Sequence, residues 1–366
     1  MVQVFLVRAT HALFRTAAIF AGVWLLASAP AARARTHTKT PPEQWQLSLD
    51  GGRTLTWERA FHSENEVRND RGFWNKVVDI VAGEPDFRSL VRPYSVTEDS
   101  RGRLIVTDPG VAGVHIFDFA QRKYKLIQRL GKPRDSMLTP QCVATDAHDN
   151  IYVTDSDSGA VFVFDANGKY QRTIGRLRGG EGYFERPTGI AIDSEAERIY
   201  VSDTARNKII LLDMQGKVLG TIGQRGTRVG EFNFPTELRL SGPNLFVVDA
   251  MNFRVQAFDR GGNFQFAIGS AGDNLGAIFR PKGIGVDSEG DLYVVDADFG
   301  AVQVFSRQGQ LLYYFGVRGT HAGEFQLPAG LWIDRNDKVY VVDSFNRRVQ
   351  VFQYVGLKLP AVEGPK

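Results

Sequence analysis

The 366-residue sequence predicts an all-β fold, a six-bladed β-propeller of four-stranded antiparallel blades whose ring is closed by an N-terminal strand. Three observations predict it. Six prolines, Pro93, Pro140, Pro187, Pro235, Pro281 and Pro328, follow one another at 47, 47, 48, 46 and 47 residues. Six aspartates, Asp108, Asp155, Asp203, Asp249, Asp296 and Asp343, keep the same register at 47, 48, 46, 47 and 47, and nine residues beyond each stands a large apolar residue (Phe117, Phe164, Leu212, Phe258, Phe305, Phe352). A period of about 40–50 residues marks a repeated supersecondary unit. The composition, with 38 glycines and 11% aromatics, suits many strands joined by tight turns.

The elements follow in chain order. Residues 1–34 carry Arg8, Arg15 and Arg33, no acid, and the uncharged run Thr16 to Ala29. Two small-residue sites follow, ending at Ala29 and Ala34, the order expected of a cleaved Sec signal peptide. The apolar run is short of the about 20 residues that a membrane span needs. No cysteine follows it, so lipoprotein processing is excluded. Residues 35–53 read as a linker. Thr54 to Phe61, after Gly51-Gly52, alternates in part and is read as the closing strand, with Phe73 to Val81 as the other candidate. Residues 73–81 place Phe73, Val77, Ile80 and Val81 on one helical face ahead of Gly83 and read as a short helix. The whole propeller is read over 54–355, with 356–366 as a tail.

Blades start near residues 92, 139, 186, 234, 280 and 327. In the fifth, Ile284 to Val286, Leu292 to Val295, Ala301 to Phe305 and Leu311 to Phe315 are strands separated by Asp-, Ser- and Gly-containing turns. Second strands such as Leu292 to Val295 are apolar throughout, as strands buried on both faces must be. The sixth unit ends after its third strand, so its outer strand has to come from the N-terminal segment or leave an open edge.

Charge and cysteine content exclude some functions. The precursor has 44 Lys+Arg against 41 Asp+Glu, and losing the three leader arginines leaves 41 of each. A neutral chain lacks the basic surplus of a typical nucleic-acid binder. Cys142 is the only cysteine, so no internal disulfide is available.

Candidate site residues come from comparing repeat positions. Two residues after each proline stand Ser95, Cys142, Gly189, Glu237, Gly283 and Gly330. Glu237 is the odd acid, and Arg239 lies on the same strand face two residues on. Glu237 is therefore the candidate catalytic carboxylate, with Arg239 as its tuning neighbour; the alternative is a structural ion pair. The residue before proline is arginine in alternate blades, Arg92, Arg186 and Arg280, and Lys282 follows. With Arg239 these form a candidate ligand-binding set, because guanidinium forks suit anionic groups; pairing with acids of adjacent blades is the alternative. Met251, Phe253, Phe299 and Phe345 fall in the loops between second and third strands of blades four to six, a candidate partner-binding sector if exposed. The six ladder aspartates recur too regularly for catalysis and read as turn caps. The histidines (His11, His37, His62, His115, His148, His321) occupy no equivalent inner positions.

The repeat text resembles a known family. Asp343 to Phe352 (DSFNRRVQVF), Arg186 to Asp193 (RPTGIAID), and the crossings containing Gly226, Gly230, Glu231, Phe232 and Pro235, or Gly319, Gly323, Glu324, Phe325 and Pro328, look like NHL repeats. The resemblance covers residues 92–355 and extends to exported bacterial six-bladed propellers of that type. The Asn-plus-basic element is present in blades six (Asn346, Arg348) and four (Asn252, Arg254), and loosely in three (Asn207, Lys208). Gly113, Gly159 and Gly300 replace it elsewhere. The resemblance implies a protein- or peptide-binding scaffold in the periplasm or outside the cell, expected as a monomer with no nucleic-acid partner, no transmembrane segment in the mature form and no cofactor. It also raises an alternative, a metal-dependent lyase or lactonase-like hydrolase with Ca or Zn in the central channel. A third reading, RNA binding, follows some intracellular relatives.

Overall fold

The computed structural model describes residues 45–68, 88–131, 136–175 and 182–356. The leader, the 73–81 helix and most of the 356–366 tail lie outside the described residues. Within them, each proline-to-proline unit forms one antiparallel sheet. Blade one is Ser95–Glu98, Leu104–Asp108, Gly113–Asp118 and Lys123–Ile127. Blades two to five repeat it, with inner strands Pro140–Thr145, Pro187–Asp193, Pro235–Ser241 and Pro281–Val286. Blade six has Leu331–Ile333, Lys338–Asp343 and Arg348–Val355. The inner strands touch in an unbroken ring, blade six against blade one. The Gly330 amide seals that contact by donating to the Tyr94 carbonyl at 2.7 Å.

Thr54–Phe61 is the fourth strand of blade six, antiparallel to Arg348–Val355 from Thr54 opposite Val355 to Phe61 opposite Val349. A register shift between Trp57 and Arg59 reverses which side the following residues face. Leu55 therefore packs into the core between blades five and six, and Phe61 into the core between blades six and one. One correction applies here. The stretch read as linker contains another strand, Gln46–Ser48, which pairs with Thr54–Thr56 and makes blade six five-stranded. Gly51 and Gly52, at φ 74° and 79°, supply the left-handed turn between them.

Among the described residues the hydrophobic core is six clusters, each filling the gap between two neighbouring blades. This is why the middle strands are apolar on both faces: each face belongs to a different interface.

The ladder aspartates are fully buried. Each accepts main-chain amides from the segment entering its blade: Asp108 from Val91 and Arg92, Asp155 from Leu138 and Thr139, Asp203 from Glu185 and Arg186, Asp296 from Phe279 and Arg280. In blades four and six, Asp249 and Asp343 additionally take the Asn252/Arg254/Gln256 and Asn346/Arg348/Gln350 side chains. The ladder is thus a set of staples holding the crossings at one end of the channel.

A second staple acts between blades. In blades two and three a register shift after the proline takes the second residue out of the ladder. The Thr154 hydroxyl accepts the Cys142 amide at 3.0 Å and donates to the Thr188 carbonyl of blade three. Ser202 does the same between Gly189 (2.6 Å) and the Thr236 carbonyl (2.5 Å), and Thr107 between Ser95 and Gln141. Blades four to six carry Val248, Val295 and Val342 there. Valine therefore fits the backbone, and Thr154→Val is expected to fold but to lose about 1–3 kcal/mol, the cost of leaving a buried amide and carbonyl unpaired. Urea unfolding measures it; an unchanged midpoint would show that the hydroxyl carries no load.

Candidate functional site

The channel is built by side chains that the inner strands aim at the axis, in layers that run from the proline end to the turn end. The outermost layer is the residue before each proline. Arg92, Arg186 and Arg280 are exposed there, on backbone pinned by Asp108, Asp203 and Asp296. Among the described residues none of the three is paired with a carboxylate. The acid beside Arg186, Glu185, is turned to Arg206 at 3.7 Å. Arg186 also lies 5.9 Å from the centre of the Phe234 ring.

One layer in, Tyr94 and Lys282 are half-buried, with the ammonium 6.0 Å from the centre of the phenol ring. Burial, with the neighbouring charges of Arg280 and Arg186, pushes the Lys282 pKa down. Burial also pushes Tyr94 up, helped by Cys142 and Glu237 and opposed by Arg186 and Arg280. These opposing influences put Tyr94, Lys282, Arg186 and Arg280 within electrostatic reach of one another. The mouth is a cationic cup with a neutral phenol in its wall.

The next layer holds Cys142 and Glu237. Gly189 of the intervening blade has no side chain to separate them, and a Cβ there would lie 2.0 Å from the Thr236 carbonyl oxygen. The Cys142 thiol donates to Glu237 Oε2 at 2.9 Å, both groups being buried. Burial pushes the Glu237 carboxyl up against the pull of Arg239, and burial together with Glu237 pushes the thiol up. A thiol so placed stays protonated and is a poor nucleophile.

Arg239 stands a layer deeper, away from the cationic cup. Its guanidinium is 3.8 Å from Glu237 Oε1 and donates to the carbonyls of Ile284 (3.1 Å) and Leu331 (2.7 Å). It covers the Trp332 ring at 4.5 Å. Arg239 is a strut joining blades four, five and six, with its Nε and one Nη given to main-chain carbonyls.

The apolar candidates divide. Met251 and Phe345 are exposed, at 54% and 59%. Phe253 and Phe299 are half-buried, and Phe253 lies 6.2 Å from Phe279. The exposed rim also includes Phe234 and Phe279, at 40% and 47%, and Leu138 and Val91. Those four were missed because they sit at the crossings, where a single sequence shows no exposure pattern. Phe234, at φ 66°, holds a left-handed conformation that is costly for a bulky residue and rare before proline. His115 is buried on the third strand of blade one, against Tyr124 at 2.8 Å and 3.5 Å from Asp108, with the second strand between it and the inner strand. Among the described residues no group of three or more His, Cys, Asp or Glu side chains is placed to hold a metal ion. Among them, too, no helix is long and apolar enough to cross a membrane.

A protein-family profile described as a 6-bladed beta-propeller matches residues 134–224. No curated protein matches the sequence. Solved structures share the ring. A gluconolactonase from Xanthomonas campestris aligns at 15% identity with a TM-score of 0.57, over 84% of this chain and 92% of that one. Virginiamycin B lyase from Staphylococcus aureus aligns at 11% and 0.54, over 82% and 99%. An auxiliary nutrient binding protein from Bacteroides thetaiotaomicron aligns at 11% and 0.56, over 73% and 70%. At such identities the likeness is one of fold, and two enzymes and a binding protein on one ring show that the ring alone does not select among them.

Proposed function

We propose that this chain is an exported, NHL-type binding module of the periplasm or cell exterior, which holds an acidic group of a protein or peptide partner at the proline-side mouth of its channel. One observation carries the reading: Arg92, Arg186 and Arg280 are presented on stapled backbone with no carboxylate partner among the described residues. Arginines elsewhere, such as Arg103, Arg254 and Arg348, are paired at 2.5–2.8 Å. An unpaired cationic cup around a channel mouth attracts anions and orients them by forked hydrogen bonds. The exposed Met251, Phe345, Phe234 and Phe279 around it add apolar area suited to a macromolecular partner. The leader-like residues 1–34 support export. The Cys142 thiol, pushed up by burial and by its contact with Glu237, favours binding over thiol chemistry in the channel.

A hexaglutamate peptide tests it by calorimetry at low ionic strength. Binding is expected to weaken as salt screens the contact. Arg186→Glu with Arg280→Glu is expected to weaken it at least tenfold, or about 1.4 kcal/mol. Equal binding by the double variant, or none by the native chain, would remove the proposal.

A further inference from the structure

Away from the mouth, at the turn end of blades one and two, lies a cavity of about 300 Å³ that the proposed function does not use. Four of its lining residues are cationic. Arg101 and Arg103 come from the turn between the first and second strands of blade one. Lys123 and Lys125 come from its outer strand, where their alternate spacing puts both on one face. Asn167, from a turn of blade two, closes the other side.

The two pairs are held differently. Arg103 is largely buried, bonded to Asp99 at 2.5 Å and to the Ala166 carbonyl at 2.6 Å. Arg101 reaches Asp149 at 3.1 Å and keeps 48% of its side chain exposed. Lys123 and Lys125 are exposed and have no carboxylate partner among the described residues. An ammonium carries three N–H donors. Lys125 gives two, to the carbonyls of Asn167 (2.5 Å) and Gly168 (3.2 Å), and Lys123 gives one, to Gln121 Oε1 (2.9 Å). Three N–H donors stay available between them. The acid in the lining, Asp118, is buried and accepts the Gln121 amide at 2.8 Å.

The fold does not demand this charge. Blade five builds the same turn, with Asp287 accepting the amides of Glu289 and Asp291 as Asp99 accepts those of Arg101 and Arg103. Blade five thus carries two acids where blade one carries two arginines. Lys125 stands opposite Ile116, and the equivalent residues of blades three, four and five are Gly220, Phe266 and Tyr313. The same backbone accepts acids, glycine and aromatic rings at these places, so the cations of blade one are not there to build the blade.

We propose that this cavity binds a tetrahedral oxyanion, phosphate or sulfate, free or as the monoester of a small hydrophilic molecule. The donors select that class. A phosphate group offers three acceptor oxygens and up to two charges, which match the three N–H donors of the lysines and the Arg101 guanidinium on the facing wall. A carboxylate offers two oxygens in one plane and a single charge, and a neutral hydroxyl gains little from a cationic wall. Lysine suits phosphate as a point charge. The cavity is several times the roughly 30 Å³ share of one water, so the group esterified to the oxyanion fits beside it. This site stands independently of the mouth.

Calorimetric titration at low ionic strength tests it. The full chain carrying Arg186→Glu and Arg280→Glu is used, so that the mouth does not supply the signal. The probes are glycerol phosphate, methyl sulfate and inorganic phosphate, with glycerol and glycerate as comparators. At least one oxyanion is expected to bind in the millimolar range or tighter, and more tightly than glycerate. Inorganic phosphate binding as well as the ester would support the site and assign the free ion as its ligand. Lys123→Gln and Lys125→Gln, both at exposed positions, are each expected to weaken the binding roughly tenfold, the worth of one charge-assisted hydrogen bond. The proposal is overturned if no oxyanion binds, if glycerate binds as tightly, or if both lysine variants bind like their parent. Hexaglutamate binding by the native chain alongside any of these failures would leave the mouth reading standing.

Discussion

A chain shortened to begin at residue 62 is expected to lose the native fold and to associate or aggregate. It lacks Thr54–Phe61, so Arg348–Val355 becomes an eight-residue edge whose centre, Val349 to Phe352, is almost entirely buried in the intact ring. A long, flat apolar edge is a template for pairing with another chain. Two interfaces are opened as well, because Leu55 and Phe61 fill different ones. Burying each such side chain is worth about 1.5–3 kcal/mol, and the cavity left behind adds to the loss. Against a total stability of about 5–15 kcal/mol, opening the sixth blade removes a decisive share. Circular dichroism and size-exclusion chromatography check it. The point variant Phe61→Ala, expected to cost about 3–5 kcal/mol, isolates one interface without cutting the chain. A shortened chain that stays a folded monomer would show that three strands suffice for blade six.

Arg239→Met is expected to be the most damaging single change in the channel, at about 3 kcal/mol or more. It takes donors from two buried carbonyls, Ile284 and Leu331, that belong to two different blades. Each carbonyl left unpaired costs about 1–3 kcal/mol, and the stacking over Trp332 is reduced with it. Glu237→Gln is expected to cost far less, because burial already favours the neutral acid there. The contrast separates a strut from a salt bridge. If the strength of Arg239 lay in its 3.8 Å approach to Glu237, the two variants would be equally harmful. Guanidinium chloride unfolding of both variants measures the difference, and a loss below about 1 kcal/mol for Arg239→Met would refute the strut.

Parts of the site were legible in the sequence for a physical reason. Glu237 stood out because the other residues of its layer are glycine, serine or cysteine, and a channel layer has room for one large side chain only where its neighbours are small. The alternating arginines were legible because the pre-proline position recurs in every repeat. What Arg239 bonds to was not legible. Its carbonyl partners lie 45 and 92 residues away, and any residue supplies a carbonyl. The strand Gln46–Ser48 escaped notice because three residues carry too little pattern to be told from a linker.

The sequence by itself determined the six blades, their strands and the closure of the ring by an early strand, because proline, aspartate and a large apolar residue do the same local work once in every repeat and so write a period into the chain. Only the tertiary structure decided which cations remain unpaired at the mouth, where Cys142 meets Glu237, and which carbonyls Arg239 ties together. Those are contacts across the ring between residues with no common position in the repeat, and they depend on distances that the glycine-lined approach of neighbouring inner strands sets.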